Sequence, residues 1–292
     1  MLFAVPVLIW ASTWHVILYQ IDSAVPALIS LAWRFALAAV LLVGLAWRQG
    51  LSLRVPLALQ GWLVATGLVH YAGDYWSIYE AERHIPTGLV AVLFCLAVFF
   101  NAIGVWLLHG QRASPRFLLA ASGALVGVAL VFWPEIAATG ARPNAWLGLG
   151  LGLTGVVTST VGSFFTLHLM ARGLPLLSVL AWSMGYGALW LLGLGLWLHP
   201  SAPLLDLRPS YVASLVYLSA CGSVMAFALY FRMAERIGPT KASLTSMAIP
   251  VISLSISATL EGWQATPLAV AGLGLCLVSL GVATRSQSAA RP

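Results

Sequence analysis

Charge is what this chain most lacks. Only 8% of its 292 residues are Asp, Glu, Lys or Arg, while 61% are apolar and the mean hydropathy is +0.95. An ordinary soluble domain carries about 25% charged residues, so a water-facing surface for 31.0 kDa of protein is excluded. Cysteine is also scarce. Cys95, Cys221 and Cys276 each lie inside an apolar run without the spacing of a metal cluster or redox pair, and read as buried small hydrophobes. The chain has no H-E-x-x-H, no second deep aspartate for an aspartyl dyad and no serine nucleophile motif. The expectation is therefore no enzyme, no catalytic residue, no cofactor and no metal. The first apolar run has no basic segment before it and no polar domain after it, so it reads as a first span and not a signal peptide. The net charge of +6 and pI near 9.6 do not indicate a nucleic-acid partner, because the basic residues are scattered through short loops.

What remains is a series of apolar runs of about 18 to 25 residues, the length that crosses a bilayer. Turn residues and charges place ten spans near 2–19, 26–47, 57–80, 86–108, 116–133, 145–170, 175–198, 211–234, 240–260 and 267–284. No loop between them holds a soluble domain, so the lipid bilayer is the first partner. The Lys/Arg bias of the loops sets the orientation. With the N-terminus inside, nine basic residues (Arg48, Arg54, Arg112, Arg116, Arg172, Arg236, Lys241, Arg285, Arg291) face the cytoplasm and three (Arg83, Arg142, Arg208) face outward. Both termini are then cytoplasmic, and the cell (inner) membrane is the expected location.

The two halves of the chain resemble each other. Ala81-Glu82-Arg83-His84-Ile85-Pro86-Thr87 matches Ala234-Glu235-Arg236-Ile237-Gly238-Pro239-Thr240 at an offset of 153, which also aligns His15 with His168 and Thr13 with Thr166. Leu31-Ala32-Trp33 recurs as Leu180-Ala181-Trp182, and His109-Gly110 through Ser114-Pro115 as Glu261-Gly262 through Thr266-Pro267. Residues 1–134 and 144–285 thus form two five-span repeats, followed by a cytoplasmic tail at 286–292. Five is odd, so the second repeat is inverted relative to the first. Inverted repeats are the architecture of secondary transporters, whose halves exchange which side of a central site is open.

Pro6 and Trp10-Ala11, Arg34-Phe35 with Ala38-Ala39, Pro250, Glu261 and the run from Gly274 to Gly281-Val282 resemble the drug/metabolite transporter superfamily, in particular the EamA-type ten-helix exporters. Among these the chain is most similar to YddG-type amino-acid exporters. The resemblance implies an all-α integral membrane fold of ten helices as two inverted five-helix repeats around a central cavity, with spans 5 and 10 as outer supports. It departs from the family at Ala97, where a proline is frequent, and near Thr158, where a tryptophan is usual. Members move amino acids, small metabolites or cationic drugs, some with proton coupling.

Polar groups inside the bilayer are expensive, and each is a functional candidate. In span 3, His70, Asp74 and Ser77 share a helical face, with Tyr71, Tyr75 and Tyr79 as the neighbouring stripe. His70 and Asp74 could share a proton and couple transport to H⁺. Trp10, Trp14 and His15 of span 1, Phe94 of span 4, and Thr158 and His168 of span 6 are further candidate substrate contacts. So are Ser246 and Pro250 of span 9, since Pro250 frees the carbonyl of residue 246. Arg34 is read as a structural charge, partnering carbonyls or Asp74. Trp47, Trp62, Trp133, Trp146, Trp197 and Trp263 mark span ends, and the glycines of span 6 suit close helix packing. The function these residues suggest is a monomeric secondary transporter exporting amino acids or similar small zwitterions by alternating access. The alternative is a proton-coupled exporter of cationic drugs, and an intramembrane enzyme is the weakest reading.

Overall fold

The computed structural model describes residues 2–85, 87–139, 144–260 and 266–286, excepting the side chains of residues 14, 87, 88, 135, 138, 139, 253–260, 284 and 286. The described residues are helical without a strand, and each of the ten predicted spans is present. Span 1 is Ala4–Ile21, span 2 Ala27–Arg48, span 5 Pro115–Val131, span 6 Ala145–Ala171, span 7 Leu176–Leu198 and span 10 Pro267–Ser286. The others are composite. Span 3 runs Leu57–Thr66, Gly67–Gly73 and Asp74–Ala81; span 4 runs Thr87–Phe94 and Ala97–His109. Span 8 runs Pro209–Tyr217, Leu218–Met225 and Ala226–Ile237; span 9 runs Pro239–Ala242 and Thr245–Leu260. A short helix, Trp133–Thr139, follows span 5. Six of the described helices are long and apolar enough to cross a membrane, and the chain is a multi-span membrane protein.

The middle pieces of spans 3 and 8 are π-helical. Sequence periodicity did not anticipate them. At the repeat offset of 153, Gly67–Gly73 lands on 220–226, so the two π segments are repeat equivalents within two residues. Capping repeats as well. Ser114 accepts from the Phe117 amide at 3.2 Å and Thr266 from the Ala269 amide at 3.2 Å, each with proline as the first helical residue.

Span 4 breaks at Cys95–Leu96 although it has no proline. Tight bonds replace the α pattern there, with the Cys95 amide donating to the Val92 carbonyl (3.1 Å) and Leu96 to Leu93 (2.9 Å). Span 9 breaks at Ser243–Leu244, six residues before its proline. The Ser243, Thr245 and Ser246 hydroxyls bond back to the Thr240, Ala242 and Ser243 carbonyls at 2.9, 2.9 and 2.7 Å, competing with the helical ladder.

The helices form two compact units, Met1–Tyr79 with Val157–Arg232 and Glu80–Val156 with Met233–Pro292. The boundaries Tyr79/Glu80 and Arg232/Met233 are again 153 apart, so each unit draws corresponding segments from both sequence repeats. In the first unit span 2 lies along span 7, and span 7 crosses the π segment of span 3 where Gly67 meets Gly187. A Cβ on Gly67 would stand 2.5 Å from the Ser183 carbonyl oxygen, which is why the backbones can touch. In the second unit span 5 lies along span 10, joined at Gly127 and Gly272. Span 6 packs through Gly148 on His84 and Ile85 and through Gly152 on Leu93, as expected for its glycines. Trp47, Trp133, Trp146 and Trp197 are exposed near span ends, consistent with interfacial belts; Trp263 lies outside the described residues.

In the turn after span 3, Glu82 has an Oε1 with no hydrogen-bond partner, and burial pushes its carboxyl up to about 8. The raised value means the protonated form is the one folding favours. Its contribution is complete below the ordinary value of 4.5 and is lost as pH rises through about 8. The melting temperature in detergent should fall across this window, and Glu82→Gln should flatten the fall. An identical pH profile for the variant contradicts the assignment.

Candidate substrate site

The first unit buries a full positive charge. Arg34 of span 2 is 1% exposed. Its Nε donates to Ser223 Oγ at 3.1 Å, and its guanidinium carbon lies 4.7 Å from the Tyr75 ring centroid and 5.5 Å from that of Phe35. Ser219 Oγ donates to the Arg34 main-chain carbonyl at 3.0 Å, so span 8 holds this residue at both its backbone and its side chain. Nη1 has no hydrogen-bond partner.

A carboxyl group stands on the residue that follows the span 3 π segment. Asp74 is 3% exposed, interacts electrostatically with Arg34 and accepts a hydrogen bond from the Ser159 hydroxyl of span 6. Its Oδ1 has no partner, nor has the Tyr71 hydroxyl. Around these groups stand Trp10, Tyr71, Tyr75 and Phe227. Trp10 Nε1 donates to the Gly222 carbonyl at 3.1 Å, and its ring sits 5.3 Å edge-on to Phe227. Phe35 touches Tyr71 at 5.3 Å and Tyr75 at 4.9 Å. The arrangement is a guanidinium and a carboxyl group, each with a buried hydrogen-bonding atom that lacks a partner, amid aromatic rings.

His70 does not join Asp74. Its imidazole stacks on Tyr71 at 4.7 Å, meets Phe227 at 5.4 Å, and lies against Gly162 of span 6. The expected shared proton rests on α-helical i, i+4 spacing, and the π segment running through His70 alters that geometry. Nδ1 of His70 has no hydrogen-bond partner.

The remaining candidates are distributed. Tyr79 is buried and donates to Gln20 Oε1 at 3.3 Å. Thr158 lies beside Gly73. His15 is half-buried with its ring 6.3 Å from Tyr19. The His168 ring lies tilted by 45° against Trp62 at 5.0 Å in the last turn of span 6, about 14 Å along the helix from Ser159 at 1.5 Å per residue, and is not part of the Arg34–Asp74 cluster. The Trp14 side chain lies outside the described residues. Phe94, Ser246 and Pro250 belong to the second unit. There Pro250 sits inside its helix, and the one thiol proton of Cys95 faces both the Ser246 carbonyl that Pro250 frees (3.6 Å) and the Ala91 carbonyl (3.5 Å). Ser159, Ser219, Ser223, Gly162 and Phe227 were not singled out from the sequence. The rule applied to span 3, that polar groups inside spans are costly, would have found the Ser219–Ser223 pair.

Multi-span and helical in its described residues, with a buried arginine and aspartate in one cluster, the chain falls by its family match in the class of membrane transport proteins. A model of the EamA-like transporter family matches residues 1–133 and 146–285, and the chain belongs to that family. An uncharacterized inner membrane transporter of Salmonella typhimurium (YicL) is 30% identical over 145 residues, a match spanning 46% of this chain and 46% of that relative. A protein of known crystal structure superposes on 97% of this chain and 95% of its own with a TM-score of 0.80 at 19% identity, a likeness of fold.

The His70–Gly162 contact has a direct test. A Cβ on Gly162 would collide with His70 Cβ and stand 2.6 Å from its Cγ. Gly162→Ala should therefore lower stability by about 1–3 kcal/mol through overpacking, read as a reduced melting temperature. Moving the glycine across the contact, as His70→Gly with Gly162→Ala, should recover part of the loss. A Gly162→Ala variant that melts like the parent contradicts this packing.

Proposed function

We propose that this EamA-family protein is a secondary transporter that exports amino acids, or similar small zwitterions, by alternating access. The observation that carries the reading is the grouping of Arg34 and Asp74, whose buried Nη1 and Oδ1 both lack a hydrogen-bond partner beside Trp10, Tyr71 and Tyr75. A free amino acid offers a carboxylate to the first atom, an ammonium to the second and an apolar side chain to the rings. Buried unpaired polar atoms are costly to leave unmet, which favours a ligand that completes both. Phosphorylated substrates fit less well, since Arg34 is the deep cation of this cluster. The protein works as a monomer in the inner membrane with both termini cytoplasmic, in keeping with the nine-to-three bias of basic residues.

A second reading, a proton-coupled exporter of cationic drugs, is favoured by one feature alone, the open carboxylate oxygen of Asp74. The two separate in reconstituted vesicles. Saturable flux of at least one amino acid is expected, reduced about tenfold or more by either Asp74→Asn or Arg34→Gln, the scale of losing a hydrogen bond to a charged group. Flux of cationic drugs, driven by a pH gradient and absent for every common amino acid, would replace the first reading with the second.

A further inference from the structure

The π segments of spans 3 and 8 meet the same side chain. Asp74 and Tyr75, at the end of the first, interact with the Arg34 guanidinium. Ser219 and Ser223, inside the second, bond to Arg34 itself. The Ser223 hydroxyl also donates to the Leu218 carbonyl five residues back at 3.0 Å, the spacing a π-helix uses. Ser223 therefore supports the wide turn of span 8 from within and accepts from Arg34 from without. A π segment holds one extra residue in its turn. Its relaxation to α geometry rotates the rest of the helix by about 100°.

We propose that Ser223 and Arg34 form a latch that fixes the π register of span 8, and that a ligand carboxylate engaging the open Nη1 draws the guanidinium from Ser223 and frees span 8 to change register. Ser223 is thus a positioning residue that acts through Arg34. The carboxylate half of the inference rests on the zwitterion reading above, whereas the latch does not. Unlatching converts a local binding event into rotation of Ala226–Ile237, which carries Phe227 of the aromatic wall.

The chain contains its own reporter. Cys221 lies inside the π segment and is partly exposed, whereas Cys95 and Cys276 are buried. The test measures alkylation of Cys221 by a maleimide, quantified on its peptide, together with amide hydrogen exchange across Leu218–Met225 in the full-length protein. Compared with the parent, Ser223→Ala should speed labelling of Cys221 by about tenfold, as expected for a local opening that loses one hydrogen bond to a charged group. Ser223→Thr keeps the hydroxyl and should label like the parent. Arg34→Lys keeps the charge without the guanidinium fork and should label like Ser223→Ala. In the parent, a transported amino acid should raise the rate, and the corresponding amine without its carboxylate should not. Unchanged labelling and exchange in Ser223→Ala and Arg34→Lys overturn the latch. Faster labelling in those variants with no response to any amino acid upholds the latch and counts against the carboxylate step and the zwitterion reading together. If Ser223→Ala does not fold, Arg34→Lys against Ser223→Thr decides the same question.

Discussion

A guanidinium that is 1% exposed must have its charge answered by the protein, and much of the first unit is arranged to do so. Arg34 bonds to two serines of span 8, faces a tyrosine ring of span 3 and interacts electrostatically with the carboxyl group that follows a π turn. Those partners come from both sequence repeats. The residue that the sequence suggested as a structural charge is therefore also the junction at which the repeats touch within one unit, and it still has one unpartnered nitrogen.

Symmetry explains why the junction lies there. The π segments, the proline-led caps and the unit boundaries all recur at or near the offset that relates the two halves. Each unit is built from matched pieces of both repeats, not from one repeat. The proline-associated breaks do not follow the same symmetry. Span 4 breaks beside Ala97 without a proline, while span 9 keeps Pro250 inside its helix and breaks earlier under three hydroxyl back-bonds. Cys95, read from the sequence only as a small hydrophobe, shares its thiol proton between the Ala91 carbonyl and the one that Pro250 frees.

The fold was largely legible. Apolar run length and turn residues located the ten spans, because the bilayer requires every backbone bond to be met inside a helix. The candidate site was legible in part. Asp74, Tyr71, Tyr75 and Trp10, which the structure gathers around Arg34, stand out as polar and aromatic residues in apolar sequence. The partnership proposed for His70 and Asp74 did not form, since periodicity assumes 3.6 residues per turn and cannot foresee a π insertion. Gly162 and Ser159 were missed for a related reason. Their role comes from what lies opposite them, His70 and Asp74, and no spacing within span 6 encodes that. His168, attractive as the repeat partner of His15, packs tilted against Trp62 instead because it lies too far along its helix.

The central claim is that Arg34 and Asp74 exist as a mutually dependent buried pair. A double-mutant cycle on thermal stability tests it directly, with Arg34→Gln, Asp74→Asn and both together. Removing either charge alone should destabilise strongly, by about 3–5 kcal/mol, because the other is left buried without its partner. Removing both should cost far less than the sum of the single losses, and the double variant should melt above either single one. Additive losses would mean that the two charges are satisfied independently, and would contradict this account.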